Sequence, residues 1–364
     1  MIYHGLKEIT CIETAISHID GQNGKLIYRG YDVKELVQKQ TFEETAYLLW
    51  YGSLPNSQQL HQLSEQFKSN RKLPTYVKKM IHSLPVNMDM MSVIRTTISS
   101  MGNNNMTWKP TIDQAITLTA LMPSIIGYRK SVLENKSFDE NAAKELNHVE
   151  YYLFMLTGAV PPKVHVEALE TYMLLTLEHG LNASTFSARV TASTESDMVS
   201  SLTSAIGTMK GPLHGGAPMG VISLLDEIAA SQSAIKVISE KVMNGERLMG
   251  FGHRVYKTKD PRAISLKKVL LQMLGEDQWL DLAIDIEETA ISVLNKLKPG
   301  RSLYTNVEFY AAAIMKAIDM PPALFTPTFT ASRVVGWTAH ILEQSENNVL
   351  FRPQSHYTGE TIKQ

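Results

Sequence analysis

Apolar residues recur at three- and four-residue steps along most of this chain, and that spacing constrains its fold more than any other feature. Between residues 166 and 177 the series is Val166, Leu169, Met173 and Leu177. A segment written this way buries one stripe and has to lay it against other helices. Gly180 is the expected C-terminal stop. The pattern returns as Ile286, Ala290, Leu294 and Leu297, and ends in Lys296, Lys298 and Pro299-Gly300. Basic residues in a last turn, then residues that cannot continue it, mark a helix exit. Val307, Tyr310, Ile314 and Ile318 predict a further helix, stopped before Pro321-Pro322.

Strand signals are sparse. Residues 15–19 and 25–29 flank Asp20-Gly21-Gln22-Asn23-Gly24, which predicts one hairpin near the N-terminus. The expected class is therefore mostly α with a small N-terminal β element. There are no internal repeats and no low-complexity tract. At 364 residues the chain is long enough for two domains. Glycine- and proline-rich breaks fall at 210–218 and at 299–305, which suits a smaller domain between them.

The charge balance excludes some partners. With 35 basic and 36 acidic residues the formal net charge is −1, so no global basic field draws in nucleic acid. Any anion site has to come from a local cluster. The single cysteine, Cys11, has no internal disulfide partner and belongs to no metal motif. The N-terminal residues lack the basic-then-apolar pattern of a signal peptide, and no run approaches 18 apolar residues. A cytoplasmic protein is expected, without membrane or nucleic-acid partners.

Three histidines stand in glycine-containing breaks between helices: His179 before Gly180, His214 before Gly215-Gly216, and His253 after Gly250-Phe251-Gly252. Singly, each reads as a cap, a turn residue or a satisfied core group. Together, in breaks between helices, they suggest a site, because imidazole moves protons near neutral pH and irregular backbone admits ligands. No His-x-x-x-His pair is present, so no metal is expected. No Gly-x-Ser-x-Gly elbow, P-loop or dinucleotide fingerprint occurs. The run after His253 holds Arg254, Lys257, Lys259 and Arg262, either a solvated basic loop or an anion site. Thr305-Asn306-Val307-Glu308 reads locally as a Thr-x-x-Glu capping box rather than as catalytic machinery.

The segment Gly250-Phe-Gly-His-Arg-Val-Tyr-Lys-Thr-Lys-Asp-Pro-Arg262 resembles the citrate synthase signature over its whole length. Other pieces agree in order. Gly24-Lys-Leu-Ile-Tyr-Arg-Gly-Tyr31, Phe42-Glu-Glu and Gly52-Ser-Leu-Pro55 resemble the family's N-terminal region. His179-Gly-Leu-Asn-Ala-Ser184 and Gly211-Pro-Leu-His-Gly-Gly216 resemble two of its histidine segments. Ser332-Arg-Val-Val-Gly-Trp337 and Leu350-Phe-Arg-Pro353 resemble its closing arginines. The length is similar to the short Gram-positive bacterial type.

This resemblance implies a citrate synthase-like fold of two parts. Residues 1–213 and 320–364 would form a large dimerising domain, and 214–319 a small domain that closes over the site. It implies an acyltransferase that condenses acetyl-CoA with oxaloacetate and hydrolyses citryl-CoA, with no separate cofactor. His214 would stabilise the enolised thioester, Glu308 would be the base, and His253 would polarise the keto group. His179, Arg262, Arg333 and Arg352 would hold oxaloacetate, Arg352 from across a homodimer. Lys257, Arg254 and Lys259 would meet CoA phosphates, and the backbone of Leu248, Met249 and Gly250 the adenine.

Three departures from the family pattern stand out. Glu308 replaces the usual aspartate. Its added methylene reaches roughly 1.5 Å further, and a misplacement of about 1 Å costs on the order of a hundredfold in rate. Slow catalysis is the expectation. Pro218-Met219 replaces Asn-Glu, and Val86-Asn-Met-Asp89 replaces His-Pro-Met-Asp. Two other readings stay open: a 2-methylcitrate synthase using propionyl-CoA, and a non-catalytic binding or regulatory paralogue.

Overall fold

The computed structural model describes residues 2–6, 8–103, 105–137, 142–215, 217–231, 233–253, 255–275, 278–301 and 303–360. Its helices are α1 (Val33–Lys39), α2 (Phe42–Tyr51), α3 (Ser57–Asn70), α4 (Thr75–Ser83), α5 (Met90–Ser99), α6 (Ile112–Glu134), α7 (His148–Thr157) and α8 (Lys163–Thr176). They continue as α9 (Ala183–Ala192), α10 (Met198–Met209), α11 (Ala217–Ser231), α12 (Ala234–Met243), α13 (Pro261–Gln272), α14 (Gln278–Leu297), α15 (Val307–Ala317) and α16 (Phe325–Glu346). Three short strands, β1 (Ser17–Asp20), β2 (Lys25–Tyr28) and β3 (Tyr31–Asp32), make one antiparallel sheet in sequence order. The expected hairpin is present, with Ser17 opposite Tyr28 and Asp20 opposite Lys25. The third strand has only two residues and gave no sequence signal.

The helices start where side chains satisfy their free N–H groups. Thr41, Asn56, Thr111 and Asn147 each form a full capping box with the residue three positions on. Helix α14 ends at Leu297, before Pro299-Gly300, as the sequence predicts. Helix α8 does not run to Gly180. It stops at Thr176 with Leu177 as its C-cap, and Gly180 sits with φ +61° in the turn that follows. The reason is tertiary: Arg333 Nε takes the Thr176 carbonyl at 2.6 Å, and the chain turns inward at Glu178.

Helix α16 is the centre of the molecule. It packs on α2, α5, α6, α8, α9 and α10, and is buried around most of its circumference, from Phe325 to Ser345. A helix apolar on only one side could not do this, so α16 carries its polar groups inward in pairs. Trp50 Nε1 donates to Thr338 Oγ1 at 2.9 Å, and Arg189 Nε donates to His340 Nδ1 at 2.9 Å. Helices α11–α15 pack mainly on one another and meet the rest through α1, α8 and α16. Among the described residues, no helix is long and apolar enough to cross a membrane.

Gly336 shows how tightly α16 lies against the turn after α8. A Cβ there would sit 2.2 Å from the Leu177 carbonyl oxygen and 2.6 Å from Glu178 Oε2. Gly336→Ala is expected to destabilise the fold by ~1–3 kcal/mol, the usual cost of overpacking a dense core. Denaturant unfolding of the variant against the parent protein measures this directly.

Candidate active site

The residues singled out in the sequence come from distant segments, and the fold joins them in two stages. The first joins 250–252 to 304–306. Phe251 and Thr305 form an isolated antiparallel bridge. Gly252 N donates to the Tyr304 carbonyl at 2.7 Å, Asn306 N to the Gly250 carbonyl at 2.9 Å, and Asn306 Nδ2 to the Gly252 carbonyl at 2.9 Å. The loop with His253 is thereby tied to the helix that begins beside Glu308. The capping box expected at Thr305 is not formed. Asn306 is the N-cap of α15 and accepts from Glu308 N at 3.1 Å, while Thr305 Oγ1 donates instead to Glu287 Oε1 at 2.7 Å. Because Thr305 is committed to Glu287, Glu308 is released from a capping role.

The second stage is a buried carboxylate. Asp260 caps α13, accepting from Arg262 N at 2.9 Å, and also holds the Arg262 side chain, Nε at 3.1 Å and Nη2 at 2.9 Å. Its Oδ2 accepts in addition from Val307 N at 3.2 Å, the first residue of α15. Arg262 is 4 % exposed and lies over the Tyr256 ring. Burial pushes the Asp260 carboxyl up, but the adjacent guanidinium outweighs it and holds the group below its ordinary value. Sequence reasoning gave Asp260 no role. The available signal was an aspartate directly before a proline that can sit at the first position of a helix.

His253 is fixed by its own loop. Its Nδ1 accepts from Val255 N and Tyr256 N, both at 3.0 Å. A neutral imidazole has one proton, so that proton sits on Nε2; Arg262 Nη2, 3.2 Å away, is a donor as well, so the two groups are not bonded to each other and both can donate to a shared acceptor. His179 stands edge-on to His253 with ring centroids 5.6 Å apart, and its Nε2 lies 3.2 Å from the Tyr256 hydroxyl. Burial, then the charge of Arg262, depresses both histidines: His253 to about 4 and His179 well below the usual imidazole range.

His214 approaches from the α10–α11 connection. Its Nε2 is 2.7 Å from Ser184 Oγ, which also accepts from Trp337 Nε1 at 3.0 Å. The hydroxyl has one proton to give, to Asn182 Oδ1 at 2.7 Å or to His214. When it goes to His214, the ring proton sits on Nδ1, away from Ser184. Burial and the nearby Arg333 charge lower His214 to about 4. Arg333, 1 % exposed on α16, rests over the Phe329 ring, with Glu178 as a buried counter-charge. Ser184, Trp337 and Glu178 support the named residues and were not identified in the sequence as functional.

Glu308 is half-buried, and its Oε2 is shielded from solvent with no hydrogen-bond partner. Burial raises its pKa, which Arg262 only partly offsets. The arrangement thus offers neutral imidazoles able to donate, two buried guanidiniums for carboxylates, and a carboxylate made more basic by its surroundings. Such groups suit enolisation beside an anionic acceptor better than hydrolysis by a nucleophilic side chain.

The remaining residues lie further out. Lys257 and Lys259 are exposed on the loop after His253. Leu248 and Gly250 are buried and Met249 half-buried, with the Gly250 carbonyl already engaged by Asn306. Arg254 lies outside the described residues. Arg352 is in the exposed C-terminal stretch, which Phe351 anchors by packing edge-on against Phe186 of α9.

The comparisons with known proteins identify the family. The family model "citrate synthase, C-terminal domain" matches residues 5–354. A citrate synthase of Haloferax volcanii is 37 % identical, over 98 % of this chain and 95 % of its own. A 2-methylcitrate synthase of Shewanella oneidensis is 36 % identical, over 98 % of this chain and 94 % of its own. The citrate synthase of Thermoplasma acidophilum, solved in a ternary complex with carboxymethyl coenzyme A and oxaloacetate, superposes with a TM-score of 0.88 at 30 % identity. That match covers 100 % of this chain and 98 % of the other. Fold and comparisons together define an enzyme that transfers an acyl group. The chain belongs to the citrate synthase family.

The depressed histidines give the site a pH signature. The unfolded chain takes up their protons near the ordinary value of 6.5, the folded one not until about 4 for His214 and His253. Their contribution to stability is complete above 6.5 and is lost as pH falls through that window. The free energy of unfolding, measured by denaturant at pH 7 and pH 5, is expected to fall less in His253→Gln than in the parent protein.

Proposed function

We propose that the protein is a citrate synthase, joining acetyl-CoA to oxaloacetate and hydrolysing the thioester formed. The observation that carries this reading is the convergence of the half-buried His179 and His253 with the buried Arg262, while Arg333 and Glu308, whose Oε2 has no hydrogen-bond partner, contribute charge to the same region. The Glu308 carboxylate takes a methyl proton from acetyl-CoA. The negative charge that develops on the thioester oxygen is met by His214, whose Nδ1 carries the proton in the tautomer in which Ser184 donates to Nε2. The enolised carbon attacks the keto carbon of oxaloacetate, and the keto oxygen takes its proton from Nε2 of His253. Water then cleaves the thioester, releasing citrate and the CoA thiol.

Arg262, Arg333 and His179 hold the oxaloacetate carboxylates, and Arg352 of the partner subunit completes that set in a homodimer. Lys257 and Lys259 face CoA phosphates, with the backbone at 248–250 beside the adenine. Residues 214–319 close as a small domain over the remainder, excluding water during enolisation. The way helices α11–α15 pack chiefly among themselves supports that division.

A second reading keeps the machinery and changes the acyl group. The Shewanella 2-methylcitrate synthase is nearly as similar to this chain as the Haloferax citrate synthase. One methyl group in a pocket is worth only ~1–3 kcal/mol of discrimination. CoA thiol release, measured with acetyl-CoA and with propionyl-CoA, each with and without oxaloacetate, decides between them. Release that needs oxaloacetate is expected, faster with acetyl-CoA. No release with either would overturn the proposal.

His214→Ala is expected to lower kcat by roughly 10²–10³-fold with the fold intact, as for loss of an oxyanion donor. Glu308→Asp is expected to hold or raise kcat, by bringing the base to the family's usual length. The acid limb of kcat is expected above the ordinary glutamate value, because Glu308 must be ionised and burial raises its pKa, while His214 and His253 stay neutral down to about 4. An acid limb at or below the ordinary glutamate value would count against these assignments.

A further inference from the structure

We propose that the β1–β2 turn is the positioning element of the loop carrying His253 and Tyr256, and that it acts through Gly21. The proposal rests on the function given above for that loop. Turn and loop meet backbone to backbone. Lys257 N donates to the Gly21 carbonyl at 2.8 Å. A Cβ on Gly21 would lie 2.4 Å from the Val255 carbonyl oxygen, and one on Gly24 would lie 2.8 Å from that of Lys259. Gly21 is not among the residues with positive φ, so alanine meets no strain there except from the loop itself.

The turn is stiff enough to act as a stop. Asp20 Oδ1 accepts from Gln22 N at 3.1 Å and Asn23 N at 3.0 Å, and its Oδ2 from Asn23 Nδ2 at 2.7 Å. The same hairpin also grips the segment before His179. Ser17 Oγ donates to Glu178 Oε1 at 3.0 Å and the Tyr28 hydroxyl to the Glu178 carbonyl at 2.8 Å. One rigid element therefore spans the two segments whose histidine rings stand 5.6 Å apart. On the loop, Val255, Lys257 and Lys259 are exposed while Tyr256 between them is buried. Gly21 touches no reacting atom in this scheme and is a positioning residue.

Two readouts on the full chain test this: the rate of trypsin cleavage after Lys257 and Lys259, followed by mass spectrometry, and the KM for oxaloacetate. In Gly21→Ala, cleavage is expected to quicken about tenfold and kcat/KM for oxaloacetate to fall by at least that factor, since a shift of about 1 Å is costly at a reacting centre. The melting temperature should stay near that of the parent, and Gln22→Ala, in the same turn, should match the parent in both readouts. Parent-like cleavage and KM in Gly21→Ala would overturn the proposal, as would equal effects in Gln22→Ala. If Gly21→Ala does not fold, Asp20→Ala loosens the turn without adding bulk; faster cleavage after Lys257 supports the proposal and an unchanged rate overturns it. Cleavage needs no turnover, so the contact is decided even if the parent releases no CoA and the functional reading fails.

Discussion

The buried carboxylate of Asp260 is the interaction on which the site depends. A charge taken out of water is tolerated only when nearly every lone pair is met, and Asp260 meets this with Arg262 and with the first turns of two helices. Each partner leads to a further residue of the candidate site: Arg262 faces His253, and the N–H of Val307 begins the helix that presents Glu308. The carboxylate therefore fixes the relative placement of an arginine, a histidine and a glutamate at once.

Around that anchor the electrostatics favour a neutral set of imidazoles. Two buried guanidiniums make an interior that welcomes a dianion and resists further positive charge. The histidines answer by staying unprotonated far below their usual range. The same burial makes Glu308 a better base than a surface glutamate. Environment rather than residue type thus sets the protonation state of each group.

Much of this was legible in the sequence. Helical spacing named the helices around residues 166, 286 and 307, and the turn Asp20–Gly24 marked the hairpin. Three histidines in glycine-containing breaks, with the arginines after His253, pointed to the site. What local pattern could not show was which partner each group would choose. Thr305 reads as a cap because the helix start is four residues long in sequence; only the fold supplies Glu287 as its competitor. Gly180 reads as a helix stop, yet α8 ends earlier because Arg333, more than 150 positions later, takes its last carbonyl. Glu178, Ser184 and Trp337 carry no local motif, since their importance lies wholly in long-range contact.

The position of α16 bears on how the chain comes to be folded. The helix at the centre of the core is made of residues 325–346, after every helix it packs against. During synthesis at roughly 5–20 residues per second, the faces of α8, α9 and α10 that it will cover wait without a partner for several seconds at least. Such exposed apolar grooves are what chaperones bind and what aggregation exploits. The last-made helix is thus also the step that completes the large core, and a ribosome stalled before residue 325 would leave helices packed on one another around an open central groove.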